Sequence, residues 1–461
     1  MNLLRKKNIQ DMLTANEKSQ LKRELTTFDL LFLGIGAIIG VGLFIRTSEA
    51  AMCAGAGVSL SFIIAGIACV LSALSFAEFA ALVPVAGSVY TYTYVTVGEF
   101  FAWLIGGMLT VEFLVGSSAV AVGWSRNLQE FLGENMPLSG RFLAAPGVRP
   151  DTLFDLPAFL IMLLVTFLLF RGVTLSKQAN NIMATIKVGL ILFFILACCS
   201  FINADNWQPF IPVETGWSGI FSGSAIVFYA FIGFDKVISA AEECKNPTRD
   251  LPRGILLSLA ISTIVYIAFA LVATGVVPCH LFNKQQTAIL TVTTFINQNW
   301  ISRFITAGLV LGMAAGVLVN LYCQIRLTYA MARDGLLPKA LTNIHSKYFT
   351  PGITTWSVGI VAALLAGFVP LTTLADCICL ATLVAFAFVS LCVLILRKKN
   401  PDLHRPFTCP CFPWIPIGSI LINLFLMFNV GWQSWLLLFI WVIITTIIYF
   451  VYARSRSNLA H

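Results

Sequence analysis

Gly34-Ile-Gly-Ala-Ile-Ile-Gly-Val-Gly42 interrupts the first long apolar stretch of the chain, Leu30 to Ile45. Without its glycines that stretch would read as an unbroken helix crossing a bilayer. Each glycine in a helix interior costs about 1 kcal/mol relative to alanine, so this crowd of them weakens the helix at its middle. In hydrocarbon, freed backbone N–H and C=O groups are tolerated only where they face protein, water or a ligand. The stretch therefore predicts a break that presents backbone for binding. It would be one half of a site whose other half lies in a second broken helix.

The rest of the composition agrees with a membrane setting. Of 461 residues, 58% are hydrophobic and 11% charged, and the mean hydropathy is +0.87. A soluble domain carries about 25% charged residues, so the deficit decides the class: an all-α polytopic membrane protein. The apolar runs are about 20 residues long, as helices crossing a bilayer require, and the alternating ten-residue pattern of a β-barrel is absent. The net charge of +8 follows topology and is no nucleic-acid footprint. Met1 to Thr26 is polar and basic, so no cleavable signal is expected and the first span is retained. Most of the 12 cysteines lie in or beside apolar runs (Cys69, Cys198, Cys199, Cys323, Cys392), where they read as small packing residues. Cys409-Pro-Cys411 with His404 nearby fits no standard zinc spacing, so neither metal nor cofactor is expected.

The pattern predicts twelve spans, near 28–46, 58–82, 98–124, 155–171, 178–202, 218–241, 254–278, 301–329, 353–369, 373–396, 413–431 and 433–452. With the N-terminus inside, basic residues crowd the cytoplasmic segments (Arg5, Lys6, Lys7, Arg249, Arg253, Arg326, Arg333, Arg397, Lys398, Lys399). The other side keeps only Arg46, Arg141, Arg149, Lys284 and Arg303. That asymmetry places both termini in the cytoplasm. The second interrupted helix is span six, Ser224-Ala-Ile-Val-Phe-Tyr-Ala-Phe-Ile-Gly-Phe-Asp235. Five spans precede it, so the second set of five enters from the opposite side. Spans one and six then correspond in an inverted repeat, and paired irregular helices of that kind point to a transporter's midplane site. The expected organisation is a tail over 1–26, five-helix repeats over 27–203 and 204–397, two additional helices over 398–453 and a tail over 454–461.

Several motifs together resemble the amino acid–polyamine–organocation superfamily, in particular the cationic amino acid transporter family and its bacterial relatives. They are Gly34 to Phe44, Phe76-Ala-Glu-Phe79 leading into Pro84 to Tyr92, Ser117 to Trp124, Phe231-Ile-Gly-Phe-Asp235 with Glu242-Glu243 and Asn246-Pro247, and Arg326 with Ala332-Arg-Asp-Gly-Leu-Leu-Pro338. The resemblance spans nearly the whole chain. It implies the leucine-transporter-type five-plus-five fold and secondary transport of amino acids by alternating access. It implies further that amides around Gly40, Val41 and Gly42 hold a substrate carboxylate. Carbonyls near Ile35, Ile38, Phe228, Ala230 and Phe231 would take its ammonium, with Phe231 as an aromatic shutter beside Gly233. The charges match, because a half-helix N-terminus suits an anion and uncovered carbonyls suit a cation. The alternative for the glycines is close helix packing, and for Phe231 plain core. Relatives commonly carry threonine where this chain has Val41, so a hydroxyl is missing and recognition falls on backbone. Arg46 just beyond the break reads as an interfacial arginine reaching for water, or else as an attractor of anions at the outer mouth.

Charged residues inside spans are costly and usually functional. Lys187 lies about nine residues into span five, roughly 14 Å along the helix. Desolvation favours its neutral form, which makes it a candidate proton carrier. By resemblance it occupies the place where sodium-coupled relatives of the fold bind Na⁺. A permanent ion pair is the alternative, and Glu112, equally deep in span three, is its natural partner or a second coupling residue. Asp235 beside Lys236 would brace the lower half of span six or meet a basic substrate side chain. Asn320 on span eight is a candidate pocket residue. Glu78, Glu242 and Glu243 near the cytoplasmic face are candidates for gate-closing pairs with Arg253 or Arg326.

The leading expectation is thus a proton-coupled, sodium-independent permease for cationic or neutral L-amino acids in a bacterial inner membrane. It would act as a monomer or with a small membrane subunit, surrounded by lipid. An exchanger without net proton flow is the second reading. A sensor that binds without transporting is a third, and the short segment after Phe450 offers no signalling tail for it. A membrane enzyme is disfavoured, because His280, His345, His404 and His461 all lie in loops or at the end of the chain.

Overall fold

The computed structural model describes residues 5–7, 25–40, 42–84, 88–133, 138–172, 177–283 and 286–457, the side chains of Ser88, Lys177, Ala179, Ser239 and Glu242 excepted. Among them the chain is helical throughout, and β structure is limited to two isolated bridges, Leu25 with Cys244 and Leu143 with Asp155. The helices are α1 (Thr27–Ile38), α2 (Thr47–Ala54), α3 (Val58–Leu82), α4 (Ser88–Thr96), α5 (Glu99–Thr110), α6 (Gly116–Leu132), α7 (Leu156–Phe170), α8 (Lys177–Cys198), α9 (Gly216–Phe228), α10 (Pro247–Val276), α11 (Ala288–Phe295), α12 (Asn299–Arg333), α13 (Gly352–Phe368), α14 (Leu371–Lys399), α15 (Trp414–Phe428), α16 (Trp432–Ile448) and α17 (Arg454–Arg456). Among the described residues eight helical stretches are long and apolar enough to cross a membrane. Four shorter apolar helices, α1, α7, α13 and α15, fall in the remaining sequence-predicted spans.

Local chemistry starts and stops these elements. The Asp29 carboxylate accepts from the N–H (2.9 Å) and hydroxyl (2.6 Å) of Thr26, which closes the N-terminus of α1. Asp155 does the same for α7, accepting from the Ala158 N–H at 3.0 Å. Between helices, small residues set the approach, as expected where lipid is no less apolar than leucine. α1 and α10 meet where a Cβ on Gly34 would lie 2.4 Å from Ser258 Oγ, and one on Gly254 would lie 2.7 Å from Leu30 Cβ. α12 packs along α6, α13 along α7, α14 along α15, and α9 along α2 and α3.

Two charged groups sit differently from expectation. Arg46 is not interfacial: it is 2% exposed, and its guanidinium bonds both Glu49 and Asp376 of α14. A partner on a helix remote in sequence removes its need for water. Glu78 pairs with neither Arg253 nor Arg326. Its carboxylate takes Arg397 Nε at 2.9 Å, Arg405 Nε at 3.4 Å and the Cys409 N–H at 2.8 Å, tying α3 to the segment after α14. The cluster around Cys409 is therefore organised by a carboxylate, and among the described residues no group of His, Cys, Asp or Glu is placed to hold a metal. Removing one partner of a buried ion pair costs about 3–5 kcal/mol, and this cluster is buried on its acidic side. Glu78→Gln should lower the thermal unfolding midpoint by several degrees, read by scanning fluorimetry of purified protein. An unchanged midpoint would show the cluster to be solvated.

Candidate functional site

Both glycine-bearing spans are broken. α1 ends at Ile38, Ile39 turns extended (φ −72°, ψ 103°), and the chain resumes as a π-helical turn over Gly42–Arg46. Val41 lies outside the described residues. In the other span α9 gives way to a 3₁₀ turn at Tyr229–Phe231, and Gly233 takes φ +133°. A second 3₁₀ stretch, Phe234–Glu243, follows.

The breaks meet backbone to backbone. A Cβ on Gly42 would stand 2.7 Å from Ala230 Cα, and one on Gly233 would stand 2.7 Å from the Ala37 carbonyl oxygen. Only glycine fits at either place. Carbonyls released from α1 find partners outside the helix. Ile38 O accepts from the Tyr266 hydroxyl at 3.0 Å, and Gly36 O accepts from Lys187 Nζ at 2.8 Å. Tyr266, on α10, also lies 3.1 Å from Ala230 O in the second break. One hydroxyl has a single proton to donate, so it serves two carbonyls in turn. Sequence reading missed Tyr266, since a lone tyrosine in an apolar helix carries no signal until the breaks are placed in space.

The other candidate residues distribute around this centre. Ile35, Ile38, Phe228, Ala230 and Phe231 are buried at the breaks. Phe231 stands edge-on to Phe62 and Tyr266, with ring centroids 6.1 and 5.3 Å away. Gly40 is half-buried. Asn320 is buried: its amide donates to Gly316 O at 2.8 Å, and its oxygen faces Gly116 of α6. Lys187 is 3% exposed, and its stem lies over Gly312 of α12.

Glu112 does not pair with Lys187. It occupies a second π-helical turn, Val111–Val115, between α5 and α6. There it neighbours Asp235 and Lys236. Glu112 and Asp235 are each 1% exposed, and all four of their carboxyl oxygens are buried without a hydrogen-bond partner. Buried polar groups left without a partner are rare, and two carboxyls together in that condition mark this place out. π-Turns interrupt α-helices mostly at functional sites; of the three among the described residues, one borders the first break and one carries Glu112, while the third lies at Tyr449–Ala453.

The two ends of this centre differ. On one side, Arg46 joins the continuation of span one to Asp376 of α14, and its Nε lies 3.4 Å from Ile226 O in α9. On the other side a cavity of about 200 Å³, lined by apolar and charged side chains, opens between α1, α8, the Phe234–Glu243 stretch and α12. Arg326 and Glu243 face each other there at 3.9 Å. The side chain of Glu242 lies outside the described residues. The site offers backbone dipoles, one ammonium and a carboxyl pair, a set suited to holding a small polar molecule and a proton.

Comparison with known proteins places the chain in a family. A family model described as amino acid permease matches residues 25–453. The chain is 48% identical over 462 residues to the branched-chain amino acid permease BcaP of Bacillus subtilis (strain 168), covering 99% of each chain. It is 41% identical to the methylthioribose transporter of the same organism, again covering 99% of each. It is 37% identical to the vacuolar cationic amino acid transporter 4 of Arabidopsis thaliana, over 87% of this chain and 68% of that one. Such relatives are transporters, not enzymes. With its fold, its paired breaks and these likenesses, the chain is an integral multi-pass membrane protein that belongs to the amino acid permease family.

Proposed function

We propose that the chain carries neutral, aliphatic L-amino acids across a bacterial inner membrane by alternating access, driven by protons and independent of sodium. Twelve spans in a five-plus-five inverted repeat with both termini cytoplasmic would place the two breaks at the membrane midplane. One observation carries this reading: the unwound segments of spans one and six abut, and a single hydroxyl bridges carbonyls from both. Those carbonyls would be acceptors for a substrate ammonium, and backbone amides after the first break would be donors for its carboxylate. Tyr266 then holds the ammonium's place until substrate arrives. The aliphatic preference is supported by the apolar Ile35, Ile38, Phe228 and Phe231 buried at the breaks and by the likeness to a permease named for branched-chain substrates.

Coupling would run through Lys187. An ammonium binds the Gly36 carbonyl more strongly than a neutral amine does, so proton loss loosens α1 from α8. Glu112 and Asp235 would form a second proton-holding place beside Lys236 of span six. Arg46 with Asp376 closes one end, and Arg326 with Glu243 the other.

The test is thermal stabilisation of purified protein by a panel of L-amino acids and by methylthioribose, then uptake into proteoliposomes under an imposed pH gradient. Stabilisation by leucine, isoleucine and valine with pH-driven uptake supports the reading. Stabilisation by methylthioribose alone would replace it with the substrate of the second relative, which offers no ammonium. Uptake only by counterflow at clamped pH would make the protein an exchanger. Tyr266→Phe keeps the ring against Phe62 and Phe231 but leaves both carbonyls without their donor. A lost hydrogen bond of this kind is worth about 1–3 kcal/mol. Uptake should fall about tenfold or more while the protein still purifies as a single species, checked by initial-rate assays and size-exclusion chromatography.

A further inference from the structure

The cavity at the Arg326 end has a composition that a gate alone does not require. It measures about 200 Å³ and holds both signs of charge, with Asp29, Lys236, Glu243 and Arg326 on its wall beside the apolar Leu33 and Leu318. At about 30 Å³ per water it has room for six or so waters, the bulk of an aliphatic amino acid of about nine non-hydrogen atoms. Arg326 lies over the Tyr322 ring at 4.8 Å and reaches Glu243 only at 3.9 Å, beyond hydrogen-bond distance. Its fork of donors and the Glu243 carboxylate are thus engaged through space but not bonded, and both are about a third exposed. An ion pair in that condition is worth little. A molecule carrying a carboxylate and an ammonium on neighbouring atoms satisfies each partner better than they satisfy each other, because Arg binds carboxylate through two parallel bonds. At its inner end the cavity reaches Asn180, whose Oδ1 would be 3.5 Å from a Cβ on Gly36, the residue whose carbonyl holds Lys187.

We propose that this cavity is a second amino acid site, distinct from the breaks, in which Arg326 takes the carboxylate and Glu243 the ammonium of a zwitterion. The aliphatic side chain lies on Leu33 and Leu318. Occupancy replaces the Arg326–Glu243 pair, so substrate on that side opens the gate it must pass. This rests on the amino acid reading above, and it adds that substrate on the Arg326 side speeds movement of substrate from the other.

The experiment is equilibrium binding of radiolabelled L-leucine to purified full-length protein in nanodiscs. Two classes of site are expected, a tight one at the breaks and a weak one at the cavity. Arg326→Gln and Glu243→Gln should each weaken the second class at least tenfold, with thermal unfolding confirming that both variants are folded. Gly42→Ala, which pushes on Ala230, should remove the tight class alone. Isocaproate and isopentylamine, each lacking one charged group, should not displace leucine from the weak class. A single class in the unaltered protein, or a weak class indifferent to Arg326→Gln, overturns the proposal. A tight class that survives Gly42→Ala instead overturns the reading of the breaks, while the cavity site is judged on Arg326 alone.

Discussion

Lys187→Ala is expected to abolish pH-driven accumulation of amino acid while leaving binding within about threefold. Lys187 Nζ donates to Gly36 O at 2.8 Å, its stem crosses Gly312, and the side chain is 3% exposed. It thus ties α8 to the end of α1 and rests on α12 at the level where the chain unwinds. A charged group this deep costs about 2.5–3.5 kcal/mol on insertion scales, a cost that persists only where the charge does something. Alanine removes the proposed proton carrier without touching Ile38, Ala230 or the amides after the break. The substrate's own contacts therefore remain, while the gradient loses its purchase on α1. The accumulation ratio under an imposed pH gradient should fall to about one, and counterflow should persist. Lys187→Arg sharpens the test, because a guanidinium does not release its proton. That variant should bind but not accumulate. Undiminished pH-driven accumulation in the alanine variant would remove Lys187 from the mechanism.

Gly233→Ala should reduce both binding and transport by at least a hundredfold. Gly233 takes φ +133°, a conformation costing an L-residue about 1–3 kcal/mol. A Cβ there would also lie 2.7 Å from Ala37 O and 2.8 Å from Ala37 C, backbone atoms with no freedom to rotate away. The breaks would have to separate by several tenths of an ångström, and the Tyr266 hydroxyl could no longer reach both carbonyls. Gly133 supplies the control. Its φ is +54°, but nothing lies within 4 Å of a Cβ there, so Gly133→Ala should cost about 1 kcal/mol of stability and leave transport intact. Leucine binding and initial uptake of the two variants separate backbone strain from contact between the breaks. Equal losses in both would mean that strain alone was responsible.

How much of this was legible depends on how local each signal is. Gly34 to Gly42 announced a break because helix propensity is a property of neighbouring residues, and α1 does end at Ile38. Gly233 was legible for the same reason. Lys187 stood out because a lysine amid some twenty apolar residues has no local excuse. Partners were not legible. Glu112 looked like the match for Lys187 because both are deep and opposite in charge, yet Lys187 satisfies itself on a carbonyl and Glu112 faces another acid. Arg46 looked interfacial from its place at the end of an apolar run, and Asp376, which buries it, lies 330 positions away.

Local chemistry, then, determined that this chain crosses membranes, where two of its helices fail, and which lysine is buried deep, since hydrophobic period, glycine content and burial cost all act over a turn or two. Only the tertiary structure decided that the failures meet, that Tyr266 spans them, and that Arg326 stands off from Glu243 at 3.9 Å. Those facts depend on how helices distant in sequence are packed. The orientation of a hydroxyl or a guanidinium across such a contact is set by the packing of the whole bundle and leaves no periodic trace in the chain that carries it.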